Sequence, residues 1–365
     1  MRLDYWSILP GKLMCAQIVV NGRFLSRRMT GVERYAVEIT RRFGTDIRIC
    51  QPKWGGIGAI GHAWEQISLP MQLGRYDLLW SPANVGPLLV KRQVLTLHDM
   101  SWLEHPEWFR SSLSFGYRKL LPLLARQVVG IITDSNYTKI RIIDQLQISE
   151  KQLYVIPCGV DSEDFYPVDI SQMKKICLKY GIEGEYILFV GSLSPHKNLT
   201  GLIEAWTEII SQAPDLWLVV VGASNRTFAN HRQSVDQIIL NRRHVLALGY
   251  VPDNDLRALY SGALAYVQPS RSEGFGLTVL EAMACGAPVL SSRAGALPEV
   301  AGEAALYFDP DSLEDFVGQL KHLIGDADLR DSLRQAGLAR AANYSWELTA
   351  SEVQKILQDR FLDNR

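Results

Sequence analysis

The residues best suited to chemistry lie in Ser272–Ala287, which reads SEGFGLTVLEAMACGA. Glu273 and Glu281 stand eight positions apart, and Gly274 and Gly276 bracket Phe275 in a turn. Leu277, Leu280 and Ala284 then recur at helical spacing. A helix that opens among glycines exposes backbone N–H groups and the positive end of its dipole, which suits a phosphate. Glu273 belongs to the turn, while Glu281 lies about two turns into the helix. One carboxylate can then meet a sugar hydroxyl and the other the hydroxyls of a ribose. Two acids at this spacing alone are better read as a helix cap with an exposed second acid. The whole string is what favours a ligand site.

Other candidates stand apart in sequence. Lys197 follows the apolar run YILFV, a glycine and a turn containing Pro195. A lysine there can reach a diphosphate as a point charge. The plain alternative is a solvated loop lysine. His98 follows the run VLTL, at what would be a strand's carboxyl end, with Asp99 beside it to orient the ring or the loop. A lone histidine is more often structural. Gly31 opens a helical pattern after Thr30; the glycine lets backbone approach a phosphate, and Thr30 can serve as N-cap at the same time. Arg23, Arg27 and Arg28 could meet an acceptor or a membrane, or form a solvated surface. Trp54, Trp64, Trp102 and Trp108 are candidate platforms for sugar rings, with ordinary core packing the default for each.

The elements that must position these residues recur in two series. Strand-like runs stand at Gln17–Asn21, Asp77–Trp80, Val94–Leu97 and Val129–Thr133, with helical patterns at Gly31–Phe43 and Ser114–Arg126. The pattern restarts at Tyr186–Val190, Leu216–Val221, Val245–Leu248 and Ala263–Gln268, with Thr200–Ser211 helical. Short apolar strands alternating with helices predict parallel sheets covered on both faces. Ile156–Val168, rich in Pro, Gly and acids, reads as a linker. Ligands bind at the carboxyl edges of such sheets, where the candidate residues fall.

With 365 residues the chain exceeds the usual size of a single core, so two domains are expected. A net charge of −1 argues against a general nucleic-acid binder. The charge is uneven: residues 1–165 carry +5 and the remainder −6. The basic half could face anionic lipid or a charged acceptor, with ordinary scatter as the alternative. Cys15, Cys50, Cys158, Cys177 and Cys285 form no CxxC pair or zinc spacing, which predicts buried thiols in a reducing compartment. No secretory leader pattern or run of ~20 apolar residues is present. The expectation is a cytoplasmic protein with peripheral contact at the inner membrane surface; Ser111–Gln127, amphipathic with Arg118, Lys119 and Arg126, could rest on it.

The string EGFGLTVLEAMACGAPV resembles the Glu-x7-Glu motif of retaining GT-B enzymes, specifically glycosyltransferase family four. Val190–Asn198 (VGSLSPHKN) is similar to the family's phosphate-binding strand-turn, and Ile156–Asp161 (IPCGVD) to its interdomain segment. Thr30–Tyr35 (TGVERY) looks like its N-terminal donor loop, and Tyr344–Ala350 (YSWELTA) like the start of its terminal helix. The resemblance implies an α/β GT-B fold with two Rossmann-like parallel-sheet domains facing a cleft. Residues 1–165 would form the acceptor-side domain and 166–345 the nucleotide-sugar domain. Residues 346–365 would be a helix crossing back to the first.

The resemblance further implies a retaining hexosyltransferase. The first expectation is mannose from GDP-mannose, passed to a glycan or lipid-linked sugar in polysaccharide or glycolipid biosynthesis. Glu273 would contact the donor hexose, Gly274, Phe275, Gly276, Leu277 and Thr278 would hold sugar and diphosphate, and Glu281 would bind the ribose. Gly31, Ser192 and Lys197 would complete the donor site, and His98, Lys197 and Glu273 would be catalytic. Ser192 stands where many members carry Arg, as does His196, and Arg271 is a candidate to compensate. No cofactor or metal is expected; Asp309–Asp311 (DPD) has metal-binding lettering but reads as a loop before a helix. Alternatives are a catalytically impaired sugar-nucleotide-binding module of the same fold, or a nucleotide-sugar epimerase. A nicotinamide enzyme is disfavoured, since no GxGxxG follows the first strand.

Overall fold

The computed structural model describes residues 17–44, 47–53, 55–109, 111–222 and 244–363. Cys15 and Trp54 lie outside the described residues, as does the stretch before Gln17. Two six-stranded sheets follow one another along the chain. The first holds β1 (Ile18–Asn21), β2 (Ile47–Cys50), β3 (Leu78–Ser81), β4 (Gln93–Thr96), β5 (Gly130–Thr133) and β6 (Leu153–Val155), in the order β2-β1-β3-β4-β5-β6. The second holds β7 (Tyr186–Val190), β8 (Trp217–Val221), β9 (Val245–Gly249), β10 (Ala265–Gln268), β11 (Val289–Ser292) and β12 (Ala305–Phe308), in the order β12-β11-β10-β7-β8-β9. Every pairing is parallel.

The strands follow from their composition. Alternate residues of β7, β8 and β10 face opposite sides of the sheet. Ile187, Phe189, Leu218, Val220 and Val267 pack with Leu202, Trp206 and Leu320. Leu188, Val190, Val219 and Tyr266 pack with Leu280 and Met283 on the other face. Burial on both faces is why these segments are continuous apolar runs rather than alternating ones. In the first sheet Leu95, Leu97 and Ile131 pack with Leu121, Leu124 and Ile142.

Strand order reverses between β1 and β3 in the first sheet and between β7 and β10 in the second. Adjacent loops leave a sheet in opposite directions at such a reversal, which opens a crevice at the strand carboxyl ends. The helix Ile170–Tyr180 packs on Asp253–Gly262 in the second domain. The helix Trp346–Leu362 crosses to the first, packing on Gly31–Arg42. There Trp346 meets Tyr35 edge-on at 6.2 Å, and Arg42 pairs with Glu347 at 2.7 Å. Val160 and Ser345, from the two segments that cross between domains, form a parallel bridge. Cys50, Cys158 and Cys285 are buried free thiols and Cys177 is half-buried. Among the described residues no helix is long and apolar enough to cross a membrane.

Candidate active site

The β7–β10 crevice brings Lys197 and Glu273 together. After β7 the chain turns through Ser192–Ser194 into a single 3-10 turn, Pro195–Lys197, with proline at its start. Asn198 at φ 52° redirects it into the helix Leu199–Ile210. Lys197 thereby runs back along the strand-end Gly191, and its Nζ lies 2.6 Å from Glu273 Oε1. Gln268, at the end of β10, and Ser270 donate to the same oxygen, each at 2.6 Å. Burial works against the Glu273 charge, but Lys197, with the hydrogen bonds from Lys197 and Ser270, outweighs it and holds the carboxyl below its usual range. His196 is pushed down to about 4 by burial and by Lys197.

The following helix, Leu277–Ala284, buries residues on all sides, including Val279, Leu280, Ala282 and Met283. Gly276 starts it at φ 110°, in the left-handed region a side chain avoids. This fixes Glu281 in the wall of the crevice, 6 % exposed. The Tyr260 hydroxyl donates to Glu281 Oε2 at 3.2 Å, and Arg34 Nε lies 3.9 Å from Oε1. Burial raises the Glu281 carboxyl to about 7 against the pull of Arg34.

Arg34 comes from the other domain, on the helix Gly31–Arg42. It also holds Asp253 by two contacts, at 2.9 and 3.0 Å. The N-terminus of that helix faces the N-terminus of Leu277–Ala284, since a Cβ on Gly31 would lie 3.4 Å from Leu277 Cδ1. The positive ends of two helices, one from each domain, therefore lie side by side. The domains touch at Gly274, whose carbonyl accepts from Ser135 Oγ at 2.7 Å and Thr138 Oγ1 at 3.2 Å. Glu299 caps the helix Asn136–Leu146 across the same gap, accepting from the Asn136 and Tyr137 amides at 2.8 and 3.0 Å.

His98 lies at the carboxyl end of β4, but its ring is turned inward. Nδ1 lies 2.6 Å from Asp134 Oδ2 and Nε2 lies 2.8 Å from the Pro82 carbonyl oxygen. Both partners are acceptors, so both nitrogens must donate and the ring is an imidazolium. Burial opposes that charge; Asp134 outweighs it and raises the pKa. In this arrangement no ring nitrogen is directed at a donor sugar. The ring is oriented by Asp134, while Asp99 accepts from the Ser101 amide at 2.8 Å and shapes the loop. It is the His98 backbone carbonyl that meets the second domain, beside Gly274.

The remaining candidates divide. Ser192 Oγ is 2.9 Å from Ser194 Oγ, in the turn before Lys197. Phe275 sends its ring into the core, edge-on to Tyr344 at 6.1 Å, leaving its backbone at the gap. Thr278 Oγ1 donates to Gln268 at 3.3 Å. Arg271 reaches toward Asp311 at 3.8 Å. Asp309 and Asp311 lie in the turn before Leu313–Gly325, where Asp309 accepts from the Asp311 amide at 3.0 Å. Arg23 is not a surface cation: it is 3 % exposed and paired with Glu65 at 2.6 Å. Arg27 approaches Glu33 at 3.5 Å, and Arg28 lies over the Tyr250 ring. Trp64 packs against the core, and Trp102 is stacked between Phe109 and Tyr117 at 3.9 and 4.6 Å. Sequence reasoning missed Arg34, Asp134, Gln268, Ser270, Tyr260 and Glu299. Arg34 was within sight, three residues beyond Gly31.

Comparison with known proteins agrees with this geometry. The family model described as Glycosyl transferases group 1 matches residues 178–340, and that described as Glycosyltransferase Family 4 matches residues 59–164. The protein is a glycosyltransferase whose second half carries the group 1 domain. Among curated relatives, O-antigen chain mannosyltransferase B of Escherichia coli is 29% identical over 269 residues, covering 72% of this chain and 68% of that protein. The serotype-specific mannosyltransferase WbdA of Escherichia coli is 30% identical over 213 residues; the match covers 57% of this chain and spans only 26% of that protein. In fold, this glycosyltransferase resembles sucrose-phosphate synthase from Thermosynechococcus elongatus, with TM-score 0.76 and 17% identity over 96% of this chain and 100% of that one. The two facing parallel-sheet domains are the GT-B architecture.

Proposed function

We propose that this glycosyltransferase moves a hexose, with mannose from GDP-mannose the first choice, from a nucleotide-sugar to a glycan or lipid-linked acceptor, with retention and without a metal. One relative is an O-antigen chain mannosyltransferase and another a serotype-specific mannosyltransferase, which supports polysaccharide biosynthesis as the setting. The observation that carries the reading is the Lys197–Glu273 pair at 2.6 Å, with the N-termini of two helices from the two domains side by side.

The donor diphosphate would lie against the Gly31 and Leu277 helix ends, held by the Gly274–Thr278 backbone. Lys197 would leave Glu273 to meet the phosphate and stabilise the departing nucleoside diphosphate. Fixed positive groups of this kind can do the work a metal does elsewhere. Glu281 would accept from the ribose hydroxyls and Glu273 from the hexose. The acceptor hydroxyl would attack from the leaving group's face, giving its proton to the departing phosphate. His98 would act through the loop it anchors at Gly274.

A cytoplasmic site against the inner membrane fits the outer face of the first domain. Ile60, Ile67 and Met71 on the helical run 58–72, and Phe115 and Leu123 on Ser111–Gln127, are exposed beside Arg118, Lys119 and Arg126. Neither segment exposes a carboxylate; Glu65, the one acid in the two, is buried. Such a face suits anionic lipid.

The test is thermal shift and donor hydrolysis with GDP-, UDP-, dTDP- and ADP-sugars in EDTA. Stabilisation and turnover with one of them, surviving EDTA, is expected. A requirement for added divalent metal overturns metal independence, and no response to any donor overturns the donor site. Retention is read from the anomeric configuration of the product, and lipid contact from flotation with anionic against zwitterionic vesicles.

A further inference from the structure

A second opening lies beside the catalytic pair. It is a cavity of about 310 Å³, walled by Trp108 from the first domain and by Ser194, Asn198, Thr200, Glu204 and Arg271 from the second. Neither Lys197 nor Glu273 lines it, yet its walls are their own loops. Ser194 and Asn198 bracket Lys197, and Arg271 stands two residues before Glu273. The Arg271 amide donates to the His196 carbonyl at 2.8 Å, tying the two loops together. The cavity therefore continues the reaction site outward.

Its lining has a definite chemistry. Trp108 ends the short turn Pro106–Trp108 and stacks on His105, with ring centroids 3.8 Å apart and planes 13° from parallel. The indole is thus held in place before anything binds. The other walls are mostly polar, with Ser194, Asn198, Thr200, Glu204 and Arg271 beside Leu193, Pro195 and Leu199. A sugar ring offers an apolar C–H face and a rim of hydroxyls that both donate and accept. One fixed aromatic ring among mixed donors and acceptors matches that pattern. The Glu204 carboxylate disfavours a phosphate, and the polar wall disfavours a lipid tail. The volume falls at the small end of ligand pockets, about 300–1,000 Å³, and leaves room for a sugar ring. Of the tryptophans at Trp64, Trp102 and Trp108, only Trp108 lines this space.

We propose that this cavity is a saccharide subsite, holding the acceptor unit next to the one whose hydroxyl is attacked. The inference rests on the reading of the protein as a transferase to a glycan. Because the walls come from both domains, the subsite is complete only when they are closed as here. The enzyme then favours acceptors of two or more units.

Calorimetry with mannose and linear mannotriose, in the presence of GDP, tests this. The wild type is expected to bind the trisaccharide ~10-fold more tightly than the monosaccharide, the change equal to about 1.4 kcal/mol. Trp108→Ala is expected to erase the preference, Trp108→Phe to keep most of it, and the exposed Glu204→Ala to reduce it from another wall. Donor hydrolysis and melting temperature in the same samples establish that each variant is folded. An unchanged preference in Trp108→Ala and Glu204→Ala, or no preference in the wild type while donor is turned over, overturns the subsite and leaves the transferase reading standing. A wild type that turns over no donor overturns both.

Discussion

Lys197 Nζ and Glu273 Oε1 lie 2.6 Å apart across the point where the second sheet reverses its strand order. Lys197 keeps the Glu273 carboxylate charged in a crevice whose burial works against that charge. Lys197→Ala therefore removes the cation for the leaving diphosphate and also frees burial to raise the Glu273 carboxyl. Turnover at saturating donor is expected to fall ~10²–10³-fold, the usual cost of removing one charge-stabilising donor. Glu273→Gln is expected to fall comparably, and the double variant no further than the worse single, because the pair acts as one unit. Steady-state kcat measures this; near-normal turnover in either single variant would remove that residue from the machinery.

Glu281 sets a pH dependence of donor binding. Burial holds its carboxyl up to about 7, and only the ionised form can accept from both ribose hydroxyls. Donor KM is expected to rise as pH falls through about 7. Glu281→Gln should raise KM at neutral pH and flatten that limb. Arg34→Ala should move the limb to higher pH, since Arg34 is the cation that lowers this carboxyl. A wild-type KM independent of pH between 6 and 8, set as roughly one unit either side of that value, would refute the assignment.

The His98–Asp134 contact sets a pH dependence of stability. The folded-state pKa of His98 is raised, above an unfolded value of about 6.5. Its contribution is therefore complete below about 6.5 and is lost as pH rises through the raised value. Asp134→Asn leaves a buried cation without its partner and is expected to cost about 3–5 kcal/mol near neutral pH. It should also remove the alkaline loss that His98 brings. Urea unfolding at a series of pH values reads both; a variant with the wild-type slope above neutrality would show that His98 is not the titrating group.

These predictions separate what the chain discloses locally from what only folding brings together. Most central strands were legible because burial on both faces demands unbroken apolar runs, as in YILFV and LWLVVV; β11 (VLSS), buried but half serine, breaks that pattern and was missed. The edge strands β2, β6 and β12 passed unnoticed: each is partly exposed, and IRIC carries a charge in its middle. Glu273, Glu281 and Lys197 were legible because a glycine turn and a helix start mark where a strand end opens. Their partners were not. Gln268 looks like the last residue of a strand, and Asp134 like a loop acid after one; nothing nearby in sequence announces a contact 36 residues away, at His98. For the same reason His98 was placed at its strand end without Asp134, the partner that turns its ring inward. Arg23 was read as loop charge because its partner, Glu65, lies 42 residues on.

Gly274 limits how closely the domains can approach. A Cβ there would sit 1.8 Å from the His98 carbonyl oxygen, far inside any tolerable contact. Gly274→Ala must push the loop of one domain from the strand end of the other by more than an ångström, on the order of the misplacement that costs ~10²-fold in rate. The Ser135 and Thr138 hydroxyls would lose the Gly274 carbonyl in the same movement. Because the substitution touches neither sheet, each domain's core should stay intact. The expected result is a kcat/KM reduced ~10²-fold, nearly unchanged circular dichroism, and a larger radius of gyration by small-angle scattering with donor present. A Gly274→Ala enzyme with wild-type turnover and an equally compact donor complex would mean that catalysis does not require the two loops to meet.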